Sequence, residues 1–168
     1  MGLTIHYELE FVGNEAQVKD KLLKVRDKAK ELGFAKVGEL KKLDNGYVIN
    51  LCAGDGCDPT NISLITADGV YWVGDDFTKT QYAKDFLRCH LLVIAILDYI
   101  KELGFLKEVY DEGGYWESRS IERLAKNINA NTTAIISLLN EFQSAGLKVI
   151  SPIDKCKNFM VVKKTHRI

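Results

Sequence analysis

Apolar and polar residues alternate at the start of the chain, with Leu3, Ile5, Tyr7, Leu9 and Phe11 interleaved with Thr4, His6, Glu8 and Glu10. A period of two predicts a strand with one buried and one wet face, and it puts His6 on the wet one. The period then lengthens. Val18, Leu22, Val25, Ala29 and Leu32 recur three or four apart, which predicts a helix over 15–32 with Asn14 as its cap and Gly33 as its stop. Two hairpins follow: 37–43 with 47–53 around Asp44-Asn45-Gly46, and 62–66 with 70–73 around Asp68-Gly69.

The stretch 85–103, DFLRCHLLVIAILDYIKEL, contains seven consecutive apolar residues, Leu91 to Leu97. At about 100° per residue these go nearly twice round a helix, so this section must be covered on all sides. Arg88, His90, Asp98, Lys101 and Glu102 leave only a narrow polar strip. Burying the apolar side chains is worth on the order of 20 to 40 kcal/mol before chain entropy is subtracted. This helix is the element on which the rest is built.

After Gly104, residues 105–110 read as an extended segment leading to DEGGYWE, Asp111 to Glu117. A helix of this length spans about 27 Å, and six or seven extended residues return about 20 to 23 Å. If that return is antiparallel, the DEGGYWE loop lands beside the start of the helix. It would gather Lys79, Gln81, Tyr82, Arg88 and His90 with Asp111, Glu112, Tyr115, Trp116 and Glu117. Helices over 121–128 and 132–145 and short apolar runs at 147–150 and 159–162 complete the chain. The expected fold is α+β, one domain over 1–168: an antiparallel sheet of about five strands with helices on one face, the 85–103 helix innermost and a C-terminal helical hairpin.

Composition narrows the function classes. With 168 residues, 46% hydrophobic and 27% charged, the chain has the balance of a soluble globular domain. The opening lacks a signal-peptide pattern and no apolar run has the length of a membrane span, so the expected location is cytoplasmic and no membrane partner is implied. Cys52, Cys57, Cys89 and Cys156 are too sparse for a disulfide scaffold and are read as reduced thiols. Zinc held by Cys52, Cys57 and Cys89-His90 is disfavoured, because the loop spacing is wide and helix neighbours point about 100° apart. The expectation is no metal and no cofactor.

The ten gathered residues are the candidate site. Lys79 and Arg88 at a helix N-terminus would favour an anion, while His90 near an acid is suited to proton transfer. The plainer roles are ion pairing for Lys79 and Arg88 and packing for Tyr115 and Trp116. Gly113-Gly114 implies a tight turn or a close backbone approach. The favoured reading is a binding or interaction protein with a polar pocket at the start of the central helix, its partner a small anionic ligand or a protein. One alternative is a small enzyme using His90 with Asp111 or Glu117 as acid and base.

The other alternative is nucleic acid. Residues 118–168 carry nine Lys/Arg against three acids, a net +6 that leaves −6 on the rest. Ala125, Asn129 and Ile135 have helix-turn-helix spacing, and Lys155, Lys157, Lys163 and Lys164 fall where a wing would sit, so 118–163 is a winged-helix-like candidate. Its exposed face, Asn131, Thr132, Thr133, Ser137 and Asn140, has no Arg or Lys to read bases or phosphates, which makes DNA the weaker reading.

The words MGLTIHY, KTQYA (Lys79 to Ala83), FLRCHL (Phe86 to Leu91), Asp98 and DEGGYWE, in this order, resemble a family of uncharacterised bacterial proteins. The resemblance covers mainly residues 1–7 and 77 to about 138. It implies one continuous domain and brings no activity, cofactor or catalytic residue with it.

Overall fold

The computed structural model describes residues 3–128 and Ser144. Its elements are β1 (Thr4–Val12), α1 (Glu15–Leu32), β2 (Lys36–Val37), β3 (Lys41–Leu43), β4 (Gly46–Cys52), β5 (Thr60–Thr66), β6 (Tyr71–Lys79), α2 (Phe86–Glu102), β7 (Leu106–Asp111) and α3 (Tyr115–Ser118). The strands form one sheet in the order β2-β4-β5-β6-β1-β7, with β3 also on β4, and all its pairings are antiparallel. Residues 121–128 are helical and follow α3 closely.

The sheet has seven strands where about five were expected, for two reasons. The 37–43 stretch splits, because β2 and β3 pair separately with the two ends of β4. Residues 106–111 are a full edge strand beside β1 and not merely an extended return. The second hairpin is also longer than its apolar run: β6 continues to Lys79 because β1 pairs with it along its whole length, Thr4 to Val12. In the first hairpin the turn falls on Asp44-Asn45, since Leu43 already pairs with Gly46. Gly46 serves packing instead: a Cβ there would lie 2.2 Å from the Leu64 carbonyl on β5.

α1 forms as its pattern predicts. Asn14 and Gln17 exchange side chain to backbone hydrogen bonds as a capping box, and Gly33 closes the helix in the left-handed conformation. Val18, Leu22, Val25 and Ala29 are fully buried against the sheet and α2. The opposing rows are Leu3 with Ile5, Tyr7 and Leu9 of the β1 that follows it, Tyr47, Ile49 and Leu51 of β4, and Ile62 and Leu64 of β5. The other side of β1 is wet, with His6 exposed between Phe77 and Tyr110.

α2 is nearly surrounded. Val93, Ile94, Ile96, Leu97 and Ile100 are buried, while Leu91 and Ala95 are half-buried beside an exposed Leu87. The chain turns at Gly104, and β7 runs back along the helix as its length requires. Its last residue, Asp111, therefore arrives at the first turns of α2.

Candidate functional site

Asp111 is the hub of the loop that follows β7. Its Oδ1 accepts the Gly113 N–H at 2.8 Å, and its Oδ2 accepts the Tyr115 and Trp116 N–H groups, each at 2.9 Å. These bonds satisfy the first donors of α3, which has no side-chain cap of its own. Gly114 enters α3 at φ +69°, a conformation open to glycine at little cost. Gly113 is needed for space: a Cβ there would lie 2.6 Å from Leu124 Cδ1 and 3.1 Å from His90 Cε1. Asn127 closes the loop by donating to the Gly113 carbonyl at 2.9 Å.

His90, one turn into α2, meets this hub. Its Nε2 is 3.2 Å from Asp111 Oδ2 and its Nδ1 is 2.8 Å from Thr80 Oγ1. Thr80 and His90 are 0% exposed and Asp111 is 4% exposed. Phe86 packs against the imidazole, and the Gly113 backbone lies against its Cε1. An ionised Asp111 places the proton of a neutral imidazole on Nε2, which leaves Nδ1 to accept from the Thr80 hydroxyl. The result is a continuous chain from hydroxyl through imidazole to carboxylate.

Burial alone would raise the Asp111 carboxyl. The His90 hydrogen bond and electrostatic attraction, with the Trp116 and Gly113 N–H groups, outweigh it and hold the group below its ordinary range. A lowered folded value means that the unfolded chain binds the proton first as pH falls. The stabilisation is therefore complete above the unfolded carboxylate range, near pH 4, and is lost as pH drops through the lower folded value. Urea unfolding followed from about pH 6 to pH 3 should show stability falling across this window, with a shallower fall in Asp111→Asn.

The other candidates do not join this chain. Arg88 turns away to the end of α1, donating to the Gly33 carbonyl at 2.8 Å and to Ala53 O at 3.5 Å. The N-terminus of α2, expected to favour an anion, is capped by the Asp85 carboxylate, which accepts the Arg88 N–H. Lys79 is exposed, with its ammonium 6.0 Å from the Phe77 ring centre. Glu112 is tied to β1, its carboxylate accepting the Thr4 N–H at 2.8 Å. Glu117 is exposed on α3, Tyr82 is half-buried, and Trp116 stacks under Arg119 at 4.6 Å with Tyr115 at 5.9 Å. The expected polar pocket is thus a closed knot around His90 with most of its charged candidates directed elsewhere.

Gln81 is the exception among the neighbours. Its Oε1 accepts the Leu3 N–H at 2.9 Å, which fixes the amide, and its buried Nε2 has no hydrogen-bond partner among the described residues. Thr80 was not among the residues singled out from the sequence. The available signal was its place inside KTQYA, between two residues that were.

Arg119, counted with the basic C-terminal residues, is held by Asp98 in a two-pronged pair at 2.7 and 2.8 Å. Apart from Ser144, the candidate recognition helix over 132–145 and the wing lie outside the described residues. Among the described residues no three His, Cys, Asp or Glu side chains are grouped to hold a metal, and no helix is long and apolar enough to cross a membrane. No protein-family model, curated protein or solved structure matches the chain.

Proposed function

We propose that the protein is a small enzyme in which His90, oriented by Asp111, takes the proton of the Thr80 hydroxyl, in an acyl-transfer or hydrolytic reaction with that hydroxyl as nucleophile. The supporting observation is the hydrogen-bonded order hydroxyl, imidazole, carboxylate, at 2.8 and 3.2 Å. That order is what an activated nucleophile requires: a base within reach of the hydroxyl, and a third group that fixes the base's tautomer. The unpartnered Gln81 amide on the adjacent residue is a donor available to a developing oxyanion. Glu117, weighed beside Asp111 as the acid, has no place in this chemistry because its side chain is exposed on α3, while His90 is fully buried. All three reacting groups are closed to solvent, so a substrate must open a path to them past the Gly113 backbone that lies against His90.

The test is turnover of a panel of chromogenic esters and thioesters by the full chain, with His90→Gln and Thr80→Val as variants and circular dichroism as the check on folding. Hydrolysis above the buffer rate is expected, falling about 100-fold or more in His90→Gln and comparably in Thr80→Val. Loss in His90→Gln with full activity in Thr80→Val would leave the acid–base pair and remove Thr80 as nucleophile. Rates untouched by either substitution, or no turnover across the panel, would overturn the reading.

A further inference from the structure

A second cluster of reactive side chains lies on a different face of the first turns of α2, about 100° round the helix from His90. Cys89 is 1% exposed, and residues 52–57, ending in the half-buried Cys57, wrap over it. The approach is close enough that a Cβ on Gly54 would lie 2.7 Å from Cys89 Sγ. The loop is held from outside by the segment before α2. Asp58 N–H donates to Lys79 O at 3.0 Å, Lys84 N–H to Asp55 O at 2.9 Å, and the Lys84 ammonium pairs with the Asp55 carboxylate at 3.1 Å. Inside the loop, Cys57 N–H donates to Gly54 O at 3.1 Å, which turns Cys57 back toward the helix.

Cys57 packs half-buried against the apolar cluster that contains Cys89, close enough for the two thiols to interact, while the Cys52 thiol donates to the Gly54 carbonyl at 3.5 Å. We propose that Cys57 and Cys89 form a reversible dithiol–disulfide centre, oxidised by a low-molecular-weight disulfide, whose closed form clamps the 52–57 loop to α2. This goes beyond the acid–base reading and does not depend on it.

The electrostatics supply a division of labour. The Cys57 hydrogen bond holds the Cys89 thiol below its ordinary range, and the same bond together with burial holds Cys57 above its own. Cys57 is the sulfur that reaches solvent. The Cys57 thiol attacks RSSR and gives up its proton to the departing sulfur as the bond forms, which yields Cys57–S–SR and RSH. Cys89 then gives up its proton, attacks the Cys57 sulfur and expels the second RS⁻. Two protein thiols are oxidised to one disulfide and RSSR is reduced to two thiols, with the two protein protons taken up by the departing thiolates. A small dithiol reverses the step.

Oxidised glutathione is the probe, applied to the native full chain, followed by alkylation of the remaining thiols and mass mapping of the peptides. The expected product has lost two hydrogens, links Cys57 to Cys89, and still alkylates at Cys52 and Cys156. Cys89→Ala should stop at a stable glutathione adduct on Cys57, and Cys52→Ser should give the wild-type link. A link from Cys52 in place of Cys57, a wild-type product that stays glutathionylated, or four thiols still open to alkylation would each overturn the proposal. The wild-type map decides the matter even if Cys89→Ala fails to fold.

Discussion

Replacing Asp111 with alanine is expected to destabilise the protein by about 3 to 5 kcal/mol, because several buried donors lose one shared acceptor at about 1 to 3 kcal/mol each. The carboxylate is fully buried and accepts from four donors: the N–H groups of Gly113, Tyr115 and Trp116, and His90 Nε2. Alanine leaves all four without that acceptor, and each buried donor so orphaned is costly in its own right. The matched control is Glu117→Ala, a nearby carboxylate that is exposed, for which a change within about 0.5 kcal/mol is expected. Urea denaturation of the two variants beside the parent checks both. A loss below about 1 kcal/mol in Asp111→Ala would show that the hub contributes little to the fold.

The second large effect belongs to the inner side of α2. Ile96 is 0% exposed at the centre of the apolar run, and truncation to alanine should cost about 2 to 5 kcal/mol through lost transfer energy and a cavity the neighbours fill only in part. Leu91, in the same run, is half-buried, so Leu91→Ala should cost roughly 1 kcal/mol. Both residues read alike as letters in an apolar sequence. Thermal unfolding of the pair should separate them, and equal shifts would mean that Leu91 is as deeply packed as Ile96.

Much of the frame was legible because it is periodic. The alternation from Leu3 to Leu9 set one face of β1 inward, and the stripe with Asn14 and Gly33 set the ends of α1, since local spacing and capping are properties of consecutive residues. The meeting of His90 with Asp111 was also within reach, because the rise of a helix and of a strand fix how far the chain travels out and back. What failed was direction. Arg88 and His90 are two residues apart on α2, yet one reaches to the Gly33 carbonyl and the other is sealed beneath Gly113. The strand count failed for a related reason: 37–43 looks continuous, but β4 accepts it only in two pieces.

The sequence by itself determined that a helix over 85–103 would be the buried centre and that its start would face the loop after the next strand. Seven apolar residues in a row have no wet side to offer, and chain lengths are additive. Only the tertiary structure decided what stands at that start. Thr80 follows the end of β6, His90 comes from α2 and Asp111 from the end of β7, and their hydrogen bonds depend on two strands fixed in register by β1 and on the helix that lies between them in the chain. The same is true of Cys57 and Cys89, which are 32 positions apart and meet because a loop is folded over the helix. Spacing along a chain carries the geometry of one element, whereas a site depends on where the side chains of several elements converge.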